Sequence, residues 1–192
     1  MFSLSDRRSS LFALLLAVAC SSGDVESRAA GPGSQVVGEP TLASVRDIGL
    51  RNARMPIVGL VTGGQPDEAQ LDALIGAGFE HFISLRPTAE DGAGWEETTV
   101  GAPTVFARIP IRGGADLTRE NVEELDHLLN EAGDGATVLY CASGNRVGAL
   151  LALRAAWIDG VAPEDALTLG RAAGLTRLEG AVVQLLGLQG AG

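Results

Sequence analysis

The chain has 192 residues, 46% of them hydrophobic and 20% charged, an ordinary composition for one folded domain behind a leader. Its formal net charge of −10 argues against non-specific binding to nucleic acid or anionic lipid, since either needs a cationic face. The same charge opposes long-range capture of anions, so any phosphate or sulfur-oxyanion site has to be built locally.

Arg7 and Arg8 precede an apolar run from Leu11 to Ala19 that is far too short to span a bilayer. Residues 1–19 therefore read as a secretory signal peptide outside the fold. The segment Leu16-Ala17-Val18-Ala19-Cys20 is similar to the lipobox of bacterial lipoproteins, with Ala17 where leucine is more usual. That resemblance implies acylation of Cys20, attachment to the bacterial cell envelope and a domain facing the periplasm. The membrane would then be a partner through the lipid alone; cleavage without acylation would give a secreted protein. Residues 20–38 are rich in Ser, Gly and Ala with no sustained apolar period, and read as the lipidated N-terminus and a flexible tether to a domain over 39–192. With Cys20 acylated, Cys141 is the only remaining thiol and has no internal disulfide partner.

Along the domain, Pro56–Thr62 is expected as an early strand, followed by the turn Gly63-Gly64-Gln65-Pro66. Asp67 is placed to cap a helix to about Ala77, with Leu71, Leu74 and Ile75 on its inner face and Gly78 at its end. His81–Leu85 is a second strand, leading through Arg86-Pro87 into an acidic stretch from Glu90 to Glu97 around Trp95. Val105–Ile111 is a third strand, closed by Gly113-Gly114. Thr118 is the expected N-cap of a helix with the apolar stripe Val122, Leu125, Leu128 and Leu129. Ala136–Tyr140 is a continuous apolar run, the mark of a buried central strand. A long apolar helix over about Arg146–Trp157 follows, then a second over Pro163–Ala172 and a last one ending near Leu188. Strands separated by helices imply an α/β three-layer sandwich with a mainly parallel sheet flanked by helices.

The chemistry lies between the central strand and the long helix, in Cys141-Ala142-Ser143-Gly144-Asn145-Arg146. A short Gly-containing loop at the carboxyl end of a central strand can turn main-chain N–H groups toward an oxyanion. Ala142, Ser143, Gly144 and Asn145 are the expected binding residues. The helix dipole and Arg146 would stabilise a thiolate on Cys141, and the guanidinium can grip two oxygens of a transferring group. Nucleophile, amide nest and guanidinium in six residues make a covalent-catalysis unit. The alternative is a strand-to-helix turn with a buried cysteine. His81 and His127 are the only histidines and sit apart, so neither a metal nor a cofactor is expected. Trp95, Trp157 and Phe106 read as packing residues, and Arg86 as a partner for a nearby carboxylate or a strand cap.

Residues 63 to about 175 resemble the tyrosine/dual-specificity phosphatase superfamily, in particular its bacterial branch of beta-lactamase-hydrolase-like phosphatase domains. Gly64-Gln65-Pro66, a helix, then Ile83-Ser84-Leu85-Arg86 match that branch's opening pattern. Cys141 to Arg146 match its catalytic loop, and Pro163-Glu164-Asp165-Ala166-Leu167 its following helix. The resemblance implies a Cys141 thiolate attacking a phosphomonoester, with the general acid on the loop before the long helix, where Asp116 stands. Asp116 reads equally as a helix-start carboxylate favoured by the dipole, and Glu90 and Asp91 are further candidates for the acid. Two features depart from the family: Tyr140 stands where a histidine is usual, and four residues rather than five separate Cys141 from Arg146. The shorter loop is of rhodanese length. It leaves open a sulfurtransferase forming a persulfide on Cys141, or a lipoprotein that binds oxyanions without turnover.

Overall fold

The computed structural model describes residues 40–188; the signal peptide, Cys20 and the tether assigned above lie outside the described residues. Five strands form one sheet in the order β1-β2-β5-β3-β4, with β1 Arg54–Ile57, β2 Leu60–Gly64, β3 His81–Ser84, β4 Val105–Arg108 and β5 Thr137–Cys141. All neighbours run parallel except β1, which pairs antiparallel with β2. This is the mainly parallel α/β sheet that alternating strands and helices imply.

Strand β5 is central and buried along its whole length. Because successive side chains of a strand face opposite ways, it divides the core in two. Leu139 and Cys141 join one apolar cluster, Val138 and Tyr140 the other. The Cys141 side is covered by α4 (Arg119–Ala132), α5 (Asn145–Trp157), α6 (Pro163–Ala172) and α7 (Glu179–Leu185) through Val122, Leu125, Val147, Leu150, Leu167 and Val182. The Tyr140 side is covered by α1 (Leu42–Ile48) and α2 (Glu68–Gly76) through Val45, Leu71 and Leu74. A short α3 (Glu96–Thr99) completes the helices. Trp157 packs against the first cluster, Trp95 and Phe106 against the second.

Local signals account for most boundaries. Asp67 caps α2 by accepting the Gln70 N–H at 2.8 Å, and Thr118 caps α4 at Asn121. The single strand expected over 56–62 is instead a hairpin: β1 turns at Val58-Gly59 into β2, with Ile57 opposite Leu60. The turn needs a left-handed residue, which Gly59 supplies at φ 79°. The third strand's regular ladder ends at Arg108 rather than Ile111, although the Ile109 and Ile111 N–H groups still donate to the Ser84 and Leu85 carbonyls at 2.9 and 3.1 Å, an irregular continuation toward Arg112. Helix α1, closed between Thr41 and Gly49, is too short to announce itself by periodicity.

Tyr140 has a distinct task. Its ring lies on the layer opposite Cys141, and its hydroxyl donates to the fully buried Glu96 at 3.1 Å. Burial, reinforced by that carboxylate, pushes the Tyr140 pKa up, so the phenol stays protonated. Glu96 also accepts the Gly94 N–H at 2.9 Å and pairs with Arg108 at 3.2 Å. Burial opposes the charge on Arg108, yet the Glu97 and Glu96 carboxylates hold its pKa above the usual value. Tyr140 therefore ties β5 to α3 and does not reach the loop side of the sheet.

Candidate active site

The loop after β5 turns sharply into α5. Gly144 takes the left-handed conformation at φ 90° that the turn requires, and its N–H points back to the Cys141 sulfur at 3.2 Å. The N–H groups of Ser143, Asn145 and Arg146 donate to no protein acceptor among the described residues. These are the orphan donors of a helix start together with a loop amide, and they need an acceptor from outside. Cys141 is 1% exposed.

Three flanking segments hold the loop. Asn52, at φ 54°, donates its amide to the Ser143 carbonyl at 3.1 Å, and the neighbouring Arg51 carbonyl accepts the Gly64 N–H at 2.7 Å. Asn145 Oδ1 accepts from Thr176 N at 2.8 Å, Thr176 Oγ1 at 3.0 Å and Leu178 N at 3.2 Å. The Asn145 side-chain oxygen, on a residue expected among the binding groups, is thus committed to the 176–178 turn. The Ile111 carbonyl accepts from Arg146 Nη1 at 2.7 Å.

Arg146 is further held by Glu90 through two parallel bonds, Nη1 to Oε2 at 2.7 Å and Nη2 to Oε1 at 2.9 Å. The Glu90 hydrogen bond, against an opposing burial effect and with help from Cys141, keeps the Arg146 pKa raised. Glu90 is in turn bonded to Arg86 Nε at 2.9 Å. Arg86 also donates to the Gln65 side chain and the Asp91 carbonyl, which pins the 86–92 strap. The bonds from Arg146, outweighing partial burial and supported by Arg86, hold the Glu90 carboxyl below the usual carboxylate range. A general acid needs the reverse shift, so Glu90 is a clamp for Arg146 rather than a proton donor. Residues 86 and 90 had this signal in their spacing, but the partner of Glu90 lies 56 positions downstream.

The clamp has a pH signature. Because the folded-state pKa of Glu90 lies below the ordinary value, its ionised form stabilises the fold above that value, and this stability is lost as pH falls through the folded pKa. Urea unfolding below about pH 4.5 is expected to show a smaller acid-side loss for Glu90→Gln than for the natural protein. Identical pH profiles would show that the clamp contributes nothing.

Asp116 lies on a 3-10 turn, Gly114–Asp116, on the same segment as Ile111. Its Oδ2 accepts the Arg112 N–H at 2.6 Å and its carbonyl accepts the Asn121 amide at 2.8 Å. It makes no hydrogen bond or ion pair with Cys141 or Arg146 among the described residues. The structure thus gathers Cys141, the loop amides and Arg146, and places the Asp116 segment beside them with its carboxylate engaged locally.

No family model matches the sequence, and no curated protein matches it. Solved structures do. A DUF442 protein of Shewanella putrefaciens CN-32, assigned as a phosphatase, superposes with a TM-score of 0.57 at 18% identity, covering 78% of this chain and 98% of its own. A Neisseria meningitidis Z2491 protein with the same assignment gives 0.55 at 20% identity, over 68% and 96%. The PTP-2 phosphatase of Cydia pomonella gives 0.52 at 16% identity, over 71% and 89%. The chain shares the fold of these three proteins.

Proposed function

We propose that this protein is an exported, cysteine-dependent phosphatase acting on phosphomonoesters, held in the cell envelope through Cys20. The observation that carries the reading is the Cys141 sulfur beneath the Gly144 N–H at 3.2 Å, beside Arg146 and three unclaimed N–H groups. In the first step the Cys141 thiolate attacks phosphorus, an S–P bond forms, and the P–O bond to the leaving group breaks. The leaving oxygen takes a proton from Asp116, once that carboxyl turns from the Arg112 N–H. In the second step water attacks phosphorus, giving its proton to the Asp116 carboxylate, and the S–P bond breaks to release inorganic phosphate and the thiolate. Arg146 and the loop N–H groups hold the equatorial oxygens through both steps.

Asp116→Asn is expected to lower kcat for an alkyl phosphate by about 10²-fold, with a smaller loss for an aryl phosphate whose leaving oxygen needs less protonation. Phosphate release measured on both substrates checks this. Equal, negligible losses would leave Asp116 a helix-start carboxylate only.

One observation favours a second reading. The six-residue span from Cys141 to Arg146 forms a tighter ring than the usual phosphatase loop, as in sulfurtransferases. Under that reading, thiosulfate would leave one sulfur atom on Cys141 and release sulfite, and mass measurement of the Cys141 peptide reads the adduct directly.

A further inference from the structure

The one fully buried carboxylate among the described residues is Glu96, on a helix of only four residues. It is met by Tyr140 from the layer opposite Cys141, yet its bonds lead back to the loop. Its Oε1 accepts the Tyr140 hydroxyl at 3.1 Å; its Oε2 accepts the Gly94 N–H at 2.9 Å and Arg108 Nη2 at 3.2 Å. Arg108 carries the connection onward, since its Nη1 donates to the Arg86 carbonyl at 2.5 Å and to Ser84 Oγ at 3.2 Å. Ser84 Oγ also accepts the Arg86 N–H at 3.3 Å. One guanidinium thus joins the two feet of the segment 86–97, Arg86 at one and Glu96 at the other. From the first foot Arg86 Nε holds Glu90 Oε1 at 2.9 Å, and Glu90 holds Arg146.

Taking two charges out of water is expensive, and apolar residues of the same volume often hold a fold equally well. What the Glu96–Arg108 pair supplies beyond an apolar contact is direction, and direction matters at Arg146. Its Nη1 gives both hydrogens away, to Glu90 Oε2 and to the Ile111 carbonyl, each at 2.7 Å. Its Nη2 gives one, to Glu90 Oε1 at 2.9 Å. The Nε–H and the second Nη2 hydrogen lie side by side on one edge of the guanidinium plane. Neither donates to a protein acceptor among the described residues. That edge is the fork left for two oxygens of an oxyanion, and its aim is set by where Glu90 stands.

We propose that Glu96 is a positioning residue for the reaction: through Arg108 and Arg86 it fixes Glu90, and with it the aim of the open Arg146 fork. The inference rests on the phosphatase reading, in which that fork grips the transferring phosphoryl group. Glu96 touches neither substrate nor nucleophile, so its whole effect on turnover passes through Glu90. Glu97 is the natural comparison. It bonds the same Arg108, at 2.7 Å from Nε, but is half-exposed and makes no other side-chain bond among the described residues.

The test is a double-mutant cycle on aryl-phosphate turnover, with urea midpoints showing that each variant is folded under the assay conditions. Glu96→Gln is expected to lower kcat about tenfold and to change KM by no more than about threefold, because an aimed fork counts most in the transition state. In a Glu90→Gln background the same substitution is expected to cost less than about twofold further. Glu97→Gln is expected to keep kcat within about twofold of the natural protein. Additive losses for Glu96→Gln and Glu90→Gln overturn the proposal. So does an unchanged kcat in Glu96→Gln, a loss confined to KM, or an equal loss in Glu97→Gln. Should Glu96→Gln fail to fold, Tyr140→Phe carries the same cycle, since it removes only the hydroxyl that meets Glu96 Oε1. A kcat loss of about threefold is then expected, and none in the Glu90→Gln background; no loss, or an additive one, overturns the proposal. A natural protein without aryl-phosphate turnover overturns the phosphatase reading and the proposal together, whereas turnover with additive losses overturns the proposal alone.

Discussion

Replacing Cys141 with serine is expected to lower aryl-phosphate turnover by about three orders of magnitude or more, while phosphate still binds. A serine hydroxyl keeps the size of the thiol but is not ionised at neutral pH, and no side chain bonded to it in this loop can act as its base. On the proposed reading the oxyanion is held elsewhere, by the N–H groups of Ser143, Asn145 and Arg146, which have no protein acceptor among the described residues, and by the Arg146 guanidinium. Turnover and binding should therefore separate: phosphate release falls to background, and calorimetry with inorganic phosphate changes little. If the variant and the natural protein share one rate, the sulfur does no chemistry. If binding is lost together with turnover, residue 141 shapes the loop instead.

Gly148→Ala is expected to cost about 3 kcal/mol or more, or to prevent folding. A Cβ at Gly148 would lie 2.2 Å from Leu175 N, 2.5 Å from the Gly170 carbonyl oxygen and 2.7 Å from Leu175 Cα. All three are main-chain atoms and cannot rotate away. Gly170 answers from α6, where its own Cβ would meet Ala152 Cβ and the Gly148 carbonyl, both at 2.7 Å. Helices α5 and α6 thus meet at a pair of glycines, and an added methyl group must push them apart. The first turn of α5 carries Arg146 and the pinned Asn145, so the displacement would reach the loop. Gly180→Ala is the matched comparison: it lies in α7 with open space around it and is expected to be neutral or slightly stabilising. Urea midpoints for the two variants check this. A Gly148→Ala midpoint equal to that of the natural protein would mean the helices are free to separate.

The parts of this molecule that sequence reveals are those governed by neighbours along the chain. The continuous apolar run into Cys141 marks the central strand, and Asp67 and Thr118 mark their helix starts because capping is a three-residue event. The facing of Tyr140 away from the loop also follows from strand alternation, though its place before Cys141 invites comparison with a histidine. What stays hidden depends on chain segments far apart. Glu90 reads as one acid in an acidic stretch until folding brings Arg146 to it. Gly148 reads as one small residue in an apolar helix until α6 closes on it. Asn52 gives no periodic signal at all, yet it holds the Ser143 carbonyl.

The central claim is that the Cys141 sulfur becomes bonded to phosphorus during turnover. Rapid mixing with excess aryl phosphate, an acid quench and mass measurement of the peptide containing Cys141 reads this directly. One added phosphoryl group on that sulfur, absent from the Cys141→Ser protein, is the expected result. An unmodified sulfur in the midst of turnover, or a phosphoryl group on another residue, would contradict it.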